Sequence, residues 1–482
     1  MTDTDSLTDE RPHRTAAEER ARDERGTDTA RGEDASDPTV GFDDAPSPPR
    51  DDGLPLLGHT VAWFRDGLAL GDRLQRRGDV VEYDAVGRQF VAVFDPELVE
   101  EVLVTRGDEF QKGEFETEFA SLLAPNGLVT VEDDEWRRQR RLLQPAFTPG
   151  RIEQFAETMV DDAAALADDW ADGSVVPLRE ALSSYSLSVL ARTLLAIDLD
   201  AERGAVVREA AEAIAEVTTG VSSLAPEWLP TPATRRYDRA MAGLDDLVAA
   251  LIAERRETTG EHDDLLATLL DATYPDGSTM DAETVRDQLV TFLFAGHETS
   301  STALTYACWL LAGHPEVRER LDAELTTVLG DRDPTVADLS ALQYTEQVVE
   351  ETLRLYPPVF TLYRQPVADT TLGGYATSAD TTIQLATYHI QRDGRWWDAP
   401  EEFRPERFDD DDPDRPDYAA FPFGGGPRHC IGMRFATMEL KLALTTLARR
   451  VRFERVEPID PSPRVVLDPG ETPMRVWRRE SA

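Results

Sequence analysis

The 482-residue sequence predicts a mainly α fold with a small β part. Three observations carry that expectation. Residues 151–260 are largely amphipathic at helical spacing, broken near Gly173, Gly220 and residues 226–232. Residues 281–311 are long, apolar and free of proline, as a buried central helix requires. Strand-like runs are short and confined to residues 80–94, 361–390 and the C-terminal segment.

Composition narrows the class. A hydrophobic content of 41% is globular, and the net charge of −43 is extreme. Lysine occurs only at Lys112 and Lys441, and the acidic residues are spread along the chain. A solvated acidic surface of this kind predicts a halophilic protein of a high-salt cytoplasm. It argues against a nucleic-acid ligand, which needs positive patches. Two cysteines, Cys308 and Cys430, make no disulfide framework and suit a reducing interior. No apolar run reaches the roughly 18–20 residues of a membrane span. No hydrophobic signal segment opens the chain. The expectation is a soluble, cytoplasmic protein without a membrane span.

Taken in order, residues 1–50 hold few large apolar side chains and read as a disordered acidic tail; residues 51–482 read as the folded part. Residues 80–83 and 89–94 are strand-like about a Gly87-Arg88 turn, and residues 96–106 read as a short helix. Residues 134–147 form a helix with Trp136 and Arg140 four apart on one face. That pair is either a donor and cation for an anionic ligand or a surface stack. The long helix carries a polar interruption, Ala295-Gly296-His297-Glu298-Thr299-Ser300. Ser and Thr can bend a helix by bonding back to the i−4 carbonyl, and a buried glutamate needs partners. The segment is either an exposed polar stripe or a kinked turn that handles a small ligand and protons.

Residues 314–329 and 344–355 are further helices, the second carrying Glu351 and Arg354 at i,i+3. Residues 361–390 look like short strands turning at Gly373-Gly374, and an acidic loop, 409–414, follows the segment 403–408. Residues 423–432 read Phe-Gly-Gly-Gly-Pro-Arg-His-Cys-Ile-Gly, with an apolar-periodic helix, 433–449, behind them. Such a loop can lie flat against something planar. A helix N-terminus and the neighbouring Arg428 would lower the Cys430 pKa towards the metal-binding thiolate; the alternative is an inert buried cysteine. Residues 451–456, 465–467 and 474–477 suggest a small C-terminal sheet.

Together these segments resemble the cytochrome P-450 family. The pattern F-x-x-G-x-R-x-C-x-G is met at Phe423, Gly426, Arg428, Cys430 and Gly432; E-x-x-R at Glu351 and Arg354; P-E-R-F at Pro405, Glu406, Arg407 and Phe408; A-G-x-[ED]-T at Ala295, Gly296, Glu298 and Thr299; W-x-x-x-R at Trp136 and Arg140. The five motifs follow the family's order, over about residues 50 to 480. The resemblance implies a triangular helical domain with buried heme b and an axial thiolate from Cys430, in a loop running from Phe423 to Gly432. It implies propionate contacts from Trp136, Arg140, Arg428 and Arg364, the last placed only by its position after Pro357-Pro358. Glu351, Arg354 and Arg407 would form a structural network. Ala295 and Gly296 would border the oxygen side of the heme, with room for O2 at Gly296. Glu298 and Thr299 would be catalytic, delivering the protons that O–O cleavage consumes. His297 and His429 fall at variable positions of their motifs.

The implied activity is hydroxylation of an apolar substrate with O2. Alternatives on the same scaffold are a heme-binding sensor without turnover, or a peroxygenase or isomerase, in which the Glu298–Thr299 pair would be idle. The chain has no flavin or nucleotide fingerprint and no cysteine set for an iron–sulfur cluster. A separate ferredoxin or flavoprotein donor is therefore expected, docking near Arg428, Arg434, Lys441, Arg449 and Arg450. The segments that would line the substrate pocket, about residues 110–130, 180–235, 289–299, 359–362 and 470–472, are apolar or mixed. They suggest a fatty acyl chain or an isoprenoid such as a terpenoid or carotenoid.

Overall fold

The computed structural model describes residues 41–479, apart from 220–230, 258–263, 272, 275–276 and 410–411. The expected tail up to residue 40, the helix break near Gly220 and part of the acidic loop 409–414 lie outside the described residues. Residues 41–50 of that tail lie against other segments. The Ala376 N–H donates to the Pro46 carbonyl at 2.9 Å, and the Arg50 guanidinium engages Glu82 and Asp84.

Nine principal helices position the site: α1 (Asp133–Leu143), α2 (Ala156–Asp169), α3 (Leu178–Leu194), α4 (Ala201–Thr219), α5 (Pro232–Glu257), α6 (Ala282–Gly313), α7 (Pro315–Leu329), α8 (Gln343–Leu355) and α9 (Met433–Arg450). Asp281 caps α6, its side chain accepting from the Thr284 N–H at 2.7 Å. From there α6 runs to Gly313 as one helix, with residues 295–300 inside it. The Thr299 hydroxyl donates to the Ala295 carbonyl at 2.8 Å, which satisfies it without opening the helix. No helix among the described residues is long and apolar enough to cross a membrane.

One mixed sheet has five strands in the order β1-β2-β6-β5-β3: β1 (Val80–Ala85), β2 (Arg88–Val93), β3 (Phe110–Gln111), β5 (Leu362–Pro366) and β6 (Thr382–Leu385). Its β2–β6 pair is parallel and the others antiparallel. A second, antiparallel sheet joins β4 (Val175–Pro177) to β8 (Pro473–Arg478) and β8 to β7 (Val451–Arg455). The expected C-terminal sheet thus has a different third strand. The run near 465–467 instead forms a two-residue hairpin arm, Leu467–Asp468, against Ser462–Pro463. The short helix expected over 96–106 is α-helical only over Pro96–Glu100 and widens into a π turn over Glu101–Thr105.

α6 is the axis of the helical part. It packs on α3, and Gly296 shows how closely: a Cβ there would fall 1.9 Å from Leu190 Cδ1. The glycine therefore permits the close approach of α3 and α6. Glu439 of α9 is buried beside Ser186 of α3 and Ser300 of α6. Burial outweighs the two hydroxyls and pushes its carboxyl up to about 7.

Two predictions follow from this packing. Gly296→Ala should destabilise the fold by about 1–3 kcal/mol in chemical denaturation, and Leu190→Ala in the same chain should recover much of that loss. Glu439 has a folded pKa above its ordinary value of 4.5, so its ionisation opposes folding increasingly between about pH 4.5 and 7. Glu439→Gln should therefore gain stability relative to the parent as pH rises through that window, by up to roughly 3 kcal/mol, and level off above it.

Candidate active site

The Cys430 loop is shaped by close backbone contacts. A 3-10 turn, Gly426–Arg428, precedes the cysteine. Gly426 has φ +63°, and a Cβ there would fall 1.9 Å from the Leu103 carbonyl oxygen, so only glycine fits. The Cys430 N–H donates to the Phe423 carbonyl at 2.9 Å, folding the loop back on its first residue. Gly432 then caps the N-terminus of α9 and gives its N–H to the sulfur. Burial pushes the Cys430 thiol up, and neither that N–H nor the Arg140 charge reverses it. The expected lowering is corrected on both counts: the thiol is raised, and the cation acting on it is Arg140 rather than Arg428.

Arg140 is buried on α1. Its Nη1 donates to the His429 carbonyl at 3.0 Å, Nη2 lies 3.3 Å from His429 Nε2, and its buried Nε has no partner. Trp136 stacks with Arg428, at 4.5 Å from guanidinium to ring centroid. Arg428 also donates to Glu132 at 2.5 Å and to the Val131 carbonyl at 3.3 Å. Arg364 is buried on β5, donating to the Tyr363 carbonyl at 2.7 Å and lying 3.4 Å from Glu116. Lys112 completes the group: its Nζ reaches Glu116 at 2.8 Å, and its N–H donates to Glu132 at 3.2 Å. Sequence reasoning noticed Lys112 only as a rarity; its burial was the missing signal.

The opposite wall is the middle of α6. Ala295 is exposed and Gly296, Glu298 and Thr299 are partly exposed, although residues 291–294 and 300–308 are buried. Cys430 is exposed as well, despite the burial that raises its pKa. Accessible residues among buried ones mark an internal cleft. Phe147 joins its two sides, stacking on Phe292 of α6 at 5.6 Å and reaching within 3.9 Å of a Cβ built at Gly432. Burial pushes Glu298 up, but His297 and Arg179 outweigh it and hold the carboxyl below its usual range.

Behind the cleft, Glu351 and Arg354 are fully buried and doubly bonded at 2.6 and 2.9 Å. Arg407 Nε and the Arg404 N–H each donate to Glu351 Oε1 at 2.9 Å, and Trp397 lies under both Arg354 and Arg407. Of the cations expected at a docking face, Lys441 is buried against Glu346 and the Leu339 carbonyl, Arg450 bonds Asp333 twice, and Arg449 donates to the Gly330 carbonyl, while Arg434 is exposed.

These residues fit a heme. They offer one accessible sulfur inside the protein, buried guanidinium groups beside it with the Arg140 Nε unpartnered, and a small alanine on the facing wall. Among the described residues no cluster of three or more His, Cys, Asp or Glu could hold a bare metal ion.

Comparison with known proteins agrees. The family model "Cytochrome P450" matches residues 46–474. Cyclooctat-9-en-7-ol 5-monooxygenase of Streptomyces melanosporofaciens is 37% identical over 411 residues, covering 84% of this chain and 88% of the relative. Pentalenene oxygenase of Streptomyces avermitilis is 34% identical over 408 residues, covering 84% and 90%. The structure of retinoic acid bound cyanobacterial CYP120A1 superposes with a TM-score of 0.81 at 25% identity, covering 90% of this chain and all of that one. The chain therefore belongs to the cytochrome P450 family and is a heme b-dependent monooxygenase.

Proposed function

We propose that the protein hydroxylates an isoprenoid substrate, in the first place a cyclic terpenoid, with O2 and electrons from a separate ferredoxin or flavoprotein. The observation that carries the substrate class is the 37% identity to a cyclooctat-9-en-7-ol monooxygenase along most of both chains. The apolar or mixed character of the pocket segments read from sequence is consistent with such a substrate.

The residues take the following parts. Cys430 would ligate the heme iron; a thiolate-ligated heme supplies electron density that favours O–O cleavage. Arg140, Arg364, Arg428 and Trp136 would hold the propionates, with Phe423 and Gly432 framing the sulfur and Ala295 and Gly296 the other face. Cys430 would be a thiolate when it ligates the metal, because a bound cation would offset the burial that otherwise favours the neutral thiol. Glu298 stores a proton acceptor at the cleft, because its neighbours keep it ionised against burial. The Thr299 hydroxyl, bonded to the Ala295 carbonyl, can turn from it towards the cleft and pass a proton from Glu298. Glu351, Arg354 and Arg407 would keep the cysteine loop in place.

The test is a titration of the ferric protein, in high salt to match its charge of −43, with cyclic terpene alcohols, retinoids and fatty acids. Isoprenoids should give a saturable shift of the Soret band towards high spin. A response confined to fatty acids, or none to any isoprenoid, would remove the substrate reading. Thr299→Ala should leave this binding shift in place but lower product formed per electron consumed by roughly tenfold or more.

A further inference from the structure

A cavity lies away from the heme site, where the end of α6, the start of α7, the end of α9 and β7 meet. Its volume is about 460 Å³, within the range of small-molecule sites. Cys308 lines it and stands nine residues beyond Thr299, about 14 Å further along α6. None of the residues placed at the heme site lines it. Leu311, Leu444, Leu447 and Phe453 share the lining with Cys308, and all five are buried.

The charged lining divides into an inner part and a solvated rim. Arg318 is largely buried. Its Nε donates to Asp322 Oδ1 at 2.9 Å, and its Nη2 to the Val451 carbonyl at 3.3 Å and to the Ala448 carbonyl. The same Asp322 oxygen accepts from Arg479 Nη1 at 2.6 Å. Two guanidinium groups thus share one carboxylate, which leaves one positive charge in excess. Among the described residues, Arg318 Nη1 has no partner. Burial pushes Arg318 down and Asp322 does not reverse it, as for a cation short of both water and anions. Glu319, Arg452 and Glu454 also line the cavity but are exposed, so solvent screens them. Glu454 in addition accepts from Trp477 Nε1 at 2.8 Å.

We propose that this cavity is a second ligand site and takes an apolar monocarboxylate. The carboxylate meets Arg318 Nη1 and balances the charge that Asp322 alone leaves over. The hydrocarbon part lies along Leu311, Leu444, Leu447 and Phe453 and reaches Cys308. A neutral apolar molecule would leave the excess charge unmet, and a cation would be repelled by it. A linear acyl acid and a branched isoprenoid acid share the required chemistry. The site stands apart from whatever substrate the heme cleft accepts.

The test is an infrared titration of heme-loaded protein in high salt. It follows the S–H stretch of Cys308, assigned by its loss in Cys308→Ala. Burial pushes this thiol up to about 12, so it keeps its proton at working pH. The probes are decanoate, citronellate and decanol. Either acid should move the S–H band saturably, and the tighter of the two tells the linear source from the isoprenoid one. Decanol should need concentrations roughly tenfold higher or more, since it brings no charge to Arg318. The Soret band, read on the same samples, reports the heme cleft separately. Ala312→Phe, placed in the lining, should abolish the S–H shift and leave any Soret response in place. Arg318→Gln should weaken decanoate roughly tenfold or more and leave decanol unchanged. No S–H shift with either acid overturns the proposal, and so does equal binding of decanol and decanoate. An S–H shift that survives Ala312→Phe, or that follows the Soret response at every concentration, overturns it too. If Arg318→Gln does not fold, the decanol comparison in the parent still decides the part given to its charge.

Discussion

The site is built around one cysteine loop. The protein packed about the Cys430 sulfur favours the neutral thiol although the residue is accessible from the cleft, and the neighbouring Gly432 N–H and Arg140 charge oppose that without winning. A coordinating metal cation would favour the thiolate there by sharing its charge. Backbone contacts hold the loop around the sulfur. The Cys430–Phe423 bond and the approach of Gly426 to the Leu103 carbonyl do that work without any side-chain charge.

The cations around the cleft show a second constraint. Arg364, Arg428 and Lys112 are gathered in one place, and Glu116 and Glu132 run between them. Gathering three cations without intervening acids would be costly in a poorly solvated place. Glu351 performs the same service deeper in the core, where it satisfies Arg354 and Arg407 at once. In so acidic a chain the cations gathered nearest the site are each engaged with these acids.

Much of the site was legible because its chemistry is local. The cysteine loop, the Ala295–Thr299 turn, Trp136 with Arg140, and Glu351 with Arg354 each fit within one turn or one loop, where a family pattern is recognisable although spacing alone left their roles open. What stayed hidden depends on contacts across long separations. Trp136 meets Arg428 rather than its helix neighbour Arg140, and Lys112 meets Glu132. Strand β4 reaches a partner at the far end of the chain. Gly296 answers to Leu190 on another helix, and no periodicity in residues 281–311 reveals that. The hairpin carrying Asp468 is too short to show a strand pattern, and its ion pair to Arg179 has no local signature.

All of this turns on a metal held by the sulfur of Cys430. The direct measurement is the absorption spectrum of heme-loaded protein, reduced under carbon monoxide in high salt, for the parent and for Cys430→Ser. The parent should show the long-wavelength Soret band diagnostic of a thiolate ligand, and Cys430→Ser should lose it while other heme bands persist. A parent spectrum without that band, or a serine variant that keeps it, would contradict the assignment.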